Sequence, residues 1–173
     1  MLANGSVYRR ATWRPWGSPE ALVTGGQTYE KYTVGGSKDV FVGPFQKLHF
    51  NAQWFGGRDL DRFSMYQFGL FDETRMHGVP ASGVRFEELA MARASYSFNV
   101  FDQYRFDLFL DRAVGRTPEA ADQWLNVTGT GVALNLRAPW NTMLRVDAGK
   151  SFLPDLYRGL GSVVVQVLVL KPL

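Results

Sequence analysis

The chain has 173 residues and a mass of 19.5 kDa, the length of one ordinary domain. It contains no cysteine, which excludes disulfide frameworks, thiolate zinc sites, iron–sulfur clusters and cysteine nucleophiles. Its 19 basic and 16 acidic residues give a net charge of +3 and are scattered, so nucleic acid is not an expected partner. Aromatic residues make up 14% of the chain and charged residues 20%, which is too apolar a composition for a disordered protein.

Alternation of apolar and polar side chains predicts an all-β protein. In chain order, the predicted strands lie at about 6–14, 27–34, 48–54, 62–71, 88–100, 104–111, 130–138, 144–148 and 163–170. The alternation is weak in the first, second and fourth of these strands, so eight or nine strands are expected. Glycine pairs at 35–36 and 56–57 are expected to form turns. No linker is evident, and residues 1–173 are expected to form a single β-barrel domain or a barrel fragment, with no second domain.

The connections between predicted strands alternate in length. From residue 56 onward they run short, long, short, long, short and long, at 56–61, 72–84, 101–103, 113–125, 139–142 and 153–161. In an antiparallel up-and-down array, this order places the tight turns at one end and the long loops at the other. Outer-membrane β-barrels have this arrangement, so the expected fold is an antiparallel up-and-down transmembrane β-barrel.

The two faces of the strands leave two architectures open. In a soluble sandwich or a lipocalin-like barrel the apolar face points inward, whereas in a membrane barrel it faces lipid and the polar face lines the interior. Three features favour the membrane: strands of about nine to eleven residues, aromatic residues near strand ends, and charges on the other face. The charged residues expected to face the lumen are Arg93, Arg105, Asp107, Arg137, Arg145 and Asp147.

Several short motifs occur in a fixed order from about residue 45 to the C-terminus. The sequence Arg-Met-His-Gly-Val begins at Arg75 in a long loop that precedes five predicted strands, and Phe-Leu-Asp begins at Phe109 on the second of those strands. A glycine-containing strand from Gly131 is followed by a proline turn and by Leu-Arg-Val-Asp-Ala-Gly, which begins at Leu144. In order and spacing, these motifs resemble the C-terminal half of the sixteen-stranded barrel of the Omp85 superfamily.

The resemblance implies a loop anchor inside the barrel. In the family, an Arg-Gly-aromatic motif at the tip of an inward-folded loop is held by the carboxylate of a Phe-x-Asp motif. The corresponding residues of this chain are Arg75, His77, Gly78, Phe109 and Asp111. The chain departs from the family because His77 replaces the arginine and Val79 replaces the aromatic residue. Either protonated His77 pairs with Asp111, which makes the anchor pH-sensitive, or Arg75 substitutes for it, or His77 is an ordinary loop residue.

The resemblance also implies a function: insertion or translocation of proteins at a bacterial or organellar outer membrane. No bond-breaking reaction, cofactor or metal is expected. The expected partners are the lipid bilayer and either client outer-membrane proteins or the remaining half of the barrel. The last strand is expected to form one side of the seam, the weak junction between the first and last strands of the barrel. Unpaired backbone groups at the seam would pair with a strand of the client protein. The residues of this strand that are expected to form the seam are Val163, Val165, Val167 and Val169.

Other functions remain open at this point. The main alternative is a soluble lipocalin-like binding protein, followed by a small outer-membrane channel or barrel enzyme. Two sizes also remain open, a small barrel that closes by itself and half of a sixteen-stranded barrel. Only two histidines are present, His49 and His77, and there is no Gly-x-Ser-x-Gly motif, so no Ser-His-Asp site can be assigned. The C-terminal Lys171-Pro172-Leu173 departs from the aromatic ending usual in outer-membrane proteins.

Overall fold

The computed structural model contains one large antiparallel sheet and one small one. It describes residues 2–9, 28–61, 63–69, 74–80, 84–101, 103–117, 123–138, 142–152 and 163–170. The strands are β1 Leu2–Arg9, β2 Thr28–Gly43, β3 Gln46–Arg58, β4 Tyr66–Gln67, β5 Arg85–Phe86, β6 Glu88–Val100, β7 Tyr104–Thr117, β8 Gln123–Ala138, β9 Thr142–Phe152 and β10 Val163–Leu170. Within these residues there is no helix, and therefore none long and apolar enough to cross a membrane.

The large sheet has eight strands in the order β1-β2-β3-β6-β7-β8-β9-β10, and every neighbouring pair is antiparallel. The prediction of an all-β, antiparallel up-and-down fold is confirmed. The sheet is not closed, because in the described part of the chain β1 pairs only with β2 and β10 pairs only with β9. The described sheet is therefore open, in contrast to the expected small barrel that closes by itself.

The tight connections lie together at one end of the sheet. Strands β2 and β3 are joined by Pro44 and Phe45, and the backbone N–H of Asn99 in β6 donates to the carbonyl of Phe45 over 2.9 Å. The β6–β7 connection at 101–103 lies at the same end, which we call the turn end. The long segment 59–87, whose described residues are 59–61, 63–69, 74–80 and 84–87, joins β3 to β6 at the opposite end, the loop end.

Four local predictions are wrong, one of them the long connection at 113–125, because β7 runs to Thr117 and β8 begins at Gln123. Strand β2 continues through Gly35 to Gly43, and β3 runs through Gly56 and Gly57, so these glycine pairs are not turns and residues 56–61 are not a tight connection. Gly56 instead leaves room for a neighbouring side chain, because a Cβ at this position would lie 2.3 Å from the Tyr32 ring. The predicted strand at 62–71 is reduced to β4, which pairs only with β5.

The buried apolar core lies between segment 59–87 and one face of the sheet at the loop end. Its largest fully buried members are Phe68, Phe86, Met76 and Leu89, and the rings of Phe68 and Phe86 meet edge to face at 4.9 Å. We call the face that contacts this segment the inner face. The opposite, outer face is apolar and exposed, with Phe50, Leu108, Leu110, Val132 and Val165 among its members.

The strands are staggered across the sheet. One row of the register joins, from β10 to β2, Gln166, Asp147, Ala133, Asp107, Ser97, Lys47 and Phe41. Gln166, in the middle of β10, is thus aligned across the sheet with Phe41 of β2. The middle of β1 is at Ser6, which pairs with Lys31 of β2, and Lys31 lies ten residues before Phe41 (31 to 41). Over seven strand spacings this displacement corresponds to a strand tilt of about 45°. Tilted, staggered strands are the geometry that a sheet needs in order to form part of a barrel.

Candidate functional site

Segment 74–80 docks on the inner face of β7, β8 and β9. The backbone N–H of His77 donates to Asp111 Oδ2 over 2.8 Å, and Ser151 Oγ donates to the carbonyl of Gly78 over 2.7 Å. The structure thereby brings together the residues that the resemblance groups, which we call the loop anchor: Arg75, His77, Gly78, Phe109 and Asp111. The anchor fixes the middle of a long connection to the sheet.

Three strand glycines make room for this docking. A Cβ at Gly129 would lie 2.4 Å from the His77 carbonyl oxygen, and one at Gly131 would lie 2.7 Å from the His77 ring. A Cβ at Gly149 would lie 2.5 Å from the backbone nitrogen of Gly78. We call Gly129, Gly131 and Gly149 the glycine cradle. Because the cradle has no side chains, the loop backbone lies directly on the sheet.

The His77 side chain is the buried centre of the anchor, with 1% of its surface exposed. Its Nδ1 lies 2.6 Å from Asp111 Oδ2, and its ring stacks on Phe109 with centroids 4.0 Å apart and an angle of 16° between the planes. Its Nε2 lies 3.4 Å from Asp147 Oδ2, within ion-pair distance but without a hydrogen bond in the described structure. The imidazole therefore lies between two carboxylates.

Arginines complete the charge arrangement around the two aspartates. Arg93 Nε lies 2.7 Å from Asp111 Oδ1, and its Nη2 donates to the backbone carbonyl of Arg75. The Arg75 side chain instead contacts Asp147 at 2.7 Å, and Arg145 contacts the same carboxylate at 3.0 Å. Of the alternatives that the sequence leaves open, the structure shows His77 paired with Asp111, while Arg75 pairs with Asp147 instead.

The environment of His77 favours its charged form. Burial by itself lowers its pKa, but the hydrogen bond to Asp111 and the negative charges of Asp111 and Asp147 outweigh burial, so the pKa is raised above the usual 6.5. The imidazolium is therefore the form that best satisfies both carboxylates.

A pH dependence of stability follows from this raised pKa. A group whose pKa is higher in the folded state stabilises fully below its unfolded pKa of about 6.5, and the contribution is lost as the pH rises through the folded pKa. We expect the difference in unfolding free energy between the native chain and His77→Gln to be largest at about pH 5 and to shrink as the pH rises through the raised pKa of His77. Urea unfolding across this range measures it, and a difference independent of pH would show that His77 does not carry the charge.

The other charges predicted to face the lumen lie on the inner face. Arg105 Nε contacts Asp107 at 2.7 Å, and Asn135 also donates to Asp107 over 2.8 Å. Arg93, Arg145 and Asp147 belong to the surroundings of the anchor described above. Arg137 shares the inner side of β8 with Asn135 and is exposed. These ion pairs join residues of the same or neighbouring strands and the docked segment.

The proposed seam residues lie on the outer side of β10. Val163, Val165, Val167 and Val169 are all strongly exposed, while the residues between them are partly covered. The edge of β10 away from β9 has no partner strand among the described residues. The structure thus leaves available the backbone edge that the seam prediction requires.

Several site residues were not identified from the sequence. The cradle residue Gly129, Ser151 and the contact between Arg93 and Asp111 carried no recognised motif. A signal for the cradle did exist, because glycine is depleted in strand interiors and the pair Gly129 and Gly131 marks a close backbone approach.

Neither histidine is arranged for nucleophilic catalysis in the described residues. His49 Nδ1 lies 2.5 Å from Asp39 Oδ1 in an exposed pair, and His77 is held by Asp111. No hydroxyl group is hydrogen-bonded to either imidazole within this part of the chain. In the same residues, no group of three or more His, Asp or Glu side chains is placed to hold a metal ion.

Comparison with protein-family models, curated proteins and solved structures finds no match to this chain.

Proposed function

We propose that this chain forms the C-terminal half of an Omp85-type outer-membrane β-barrel and acts in inserting or translocating other proteins there. The observation that carries this proposal is segment 59–87, which folds onto the inner face and is fixed by His77 to Asp111. Asp111 lies on β7, the second of the five long strands that follow the segment. This is the position that the resemblance implies for the carboxylate of the loop anchor.

The distribution of polar and apolar groups supports a lipid-facing outer face. Leu108, Leu110 and Val132 are each about half exposed on that face, whereas the aspartates and their ion pairs lie on the other. A lipocalin-like protein has the reverse arrangement, with the apolar face lining its interior. An exposed apolar face opposite a charged interior is the pattern of a membrane barrel.

The bulk of segment 59–87 supports the remaining half of the barrel as a partner. The interior of an eight-stranded barrel is about filled by its own side chains. Here the inner face also carries β4, β5 and the apolar core, which includes Phe68 and Phe86. A closed barrel that accommodates this segment needs more strands than the eight of this sheet.

The mechanism that we propose is physical and breaks no bond. An open strand edge pairs with an incoming strand through backbone hydrogen bonds, and alternate side chains fit the sheet on each face. Strand β10 offers such an edge, with apolar residues towards lipid and Gln166 on the inner side. A client strand that adds to β10 would satisfy its own backbone before it enters the bilayer.

An insertion assay tests this function. Liposomes containing the full chain are expected to increase the folding rate of an urea-denatured eight-stranded outer-membrane barrel several-fold over protein-free liposomes. Val167→Pro, which removes a backbone donor from β10, is expected to abolish the increase, whereas the matched Val167→Ala retains it. No acceleration by the native chain, or equal acceleration by both variants, would contradict the proposal.

A further inference from the structure

A polar cavity of about 440 Å³ opens on the inner face between the loop anchor and the turn end. We call it the inner cavity. Its lysine and arginine lining residues are Lys47, Arg75, Arg93, Arg105 and Arg145. Asp107 is the one carboxylate among its lining residues in the described structure. Its volume is within the range of sites for small ligands, about 300–1,000 Å³.

The charges are layered so that the cations face the cavity. The side chains of Asp107 and Asp111 are 1% exposed, whereas that of Arg105 is 49% exposed and that of Arg93 is 28% exposed. The buried carboxylates therefore pair with the arginines on the side of the sheet, away from the open space of the cavity. The guanidinium groups present their remaining N–H donors to the open space.

Two of these arginines retain donors that the described protein does not use. Arg105 bonds Asp107 through Nε and Ser97 through Nη2, which leaves Nη1 without a hydrogen bond within the described residues. Arg145 bonds Asp147 through Nη2, which leaves its Nη1 without a hydrogen bond in that same part of the chain. A guanidinium offers five donors in a planar fork that matches phosphate and carboxylate oxygens.

One wall of the inner cavity is polar but neutral. Asn51 and Gln53 of β3 and Ser95 of β6 line it, and each can donate and accept hydrogen bonds. Such groups can bind the hydroxyl groups of a ligand, whereas the cations can bind a negatively charged group of the same ligand. The cavity is also much larger than a single phosphate requires.

We propose that the inner cavity binds a phosphate ester whose organic part carries hydroxyl groups, such as a sugar phosphate or a phosphorylated lipid headgroup. Arg105 and Arg145 bind the phosphate, and Asn51 and Gln53 bind the hydroxyl groups. This inference does not depend on the proposed role in protein insertion, since it concerns a site on the inner face that is present in the isolated chain.

Isothermal titration calorimetry of the full chain in neutral detergent tests the site. The probes are glucose 6-phosphate, dihexanoyl phosphatidylglycerol and unphosphorylated glucose. We expect saturable one-to-one binding of at least one phosphorylated probe and none of glucose; the phosphorylated probe that binds more tightly identifies the free ester or the lipid headgroup as the source. Affinity is expected to fall with added salt, because the interaction is ionic.

Substitutions locate the binding in the cavity. Arg105→Gln removes a phosphate donor, and Asn51→Asp adds a negative charge to the wall without removing an ion pair, so each is expected to weaken binding about tenfold or more. Arg137→Gln, on the same face but outside the cavity lining, is the matched control and should leave the affinity unchanged. Failure of every phosphorylated probe to bind, or native affinity in Asn51→Asp, would overturn the proposal.

Discussion

Alanine at Gly78 is expected to detach segment 59–87 from the inner face and to lower the free energy of unfolding by about 3 kcal/mol. Gly78 has a φ of +75°, a region that residues with a Cβ rarely adopt. The added Cβ would also lie 2.1 Å from the carbonyl carbon of Lys150 and 2.2 Å from the backbone nitrogen of Ser151. Because these are backbone atoms of β9, the loop must move away.

The measurements are urea unfolding and trypsin cleavage after Arg75, which the docked segment holds mostly buried. Gly43→Ala is the matched control, since a Cβ at that position meets nothing within 4 Å. We expect Gly43→Ala to behave as the native chain and Gly78→Ala to be cleaved faster. Native protection in Gly78→Ala would show that the observed close contact does not hold the segment.

Removal of the Asp111 charge is expected to cost about 3–5 kcal/mol, the usual cost of breaking a buried ion pair from one side. The carboxylate accepts from the backbone and ring of His77 and from Arg93, and it is 1% exposed. In Asp111→Asn the buried His77 and the partly exposed Arg93 both lose the counter-charge that lies between them. Urea unfolding of Asp111→Asn measures the loss.

Asp39 offers the matched control for this substitution. It also contacts a histidine and a second cation, His49 and Lys47, but its side chain is exposed. Exposed ion pairs contribute little to stability, so Asp39→Asn should unfold close to the native midpoint. Equal effects of the two substitutions would mean that burial at the loop anchor does not strengthen its ion pairs.

Much of the fold follows from alternation along the chain. The patterns at 88–100 and 104–111 correspond to β6 and to most of β7, because apolar side chains alternate with polar or charged ones along most of each strand. The second half of β2 was missed because Gly35 and Gly36 are typical of turns. In the sheet these glycines continue a strand, and what determines this is pairing with β3, which a local pattern does not contain.

The site was predictable only in part. The association of His77 with Asp111 came from a resemblance of motifs, and the structure brings the two residues together. The contact of Arg75 with Asp147 depends on how the docked loop sits across β7, β8 and β9, which is set by register and by the glycine cradle. The inner cavity likewise arises from side chains of distant strands and has no motif of its own.

The central claim is that the outer face contacts lipid while the inner face lines an aqueous interior. Since the native chain has no cysteine, single cysteines at the neighbouring positions Phe50, outward, and Asn51, inward, test it directly in proteoliposomes. We predict that Phe50→Cys reacts with a lipid-soluble maleimide and is protected from a membrane-impermeant, water-soluble one, while Asn51→Cys reacts with the water-soluble reagent. Ready labelling of Phe50→Cys by the water-soluble reagent would contradict the account.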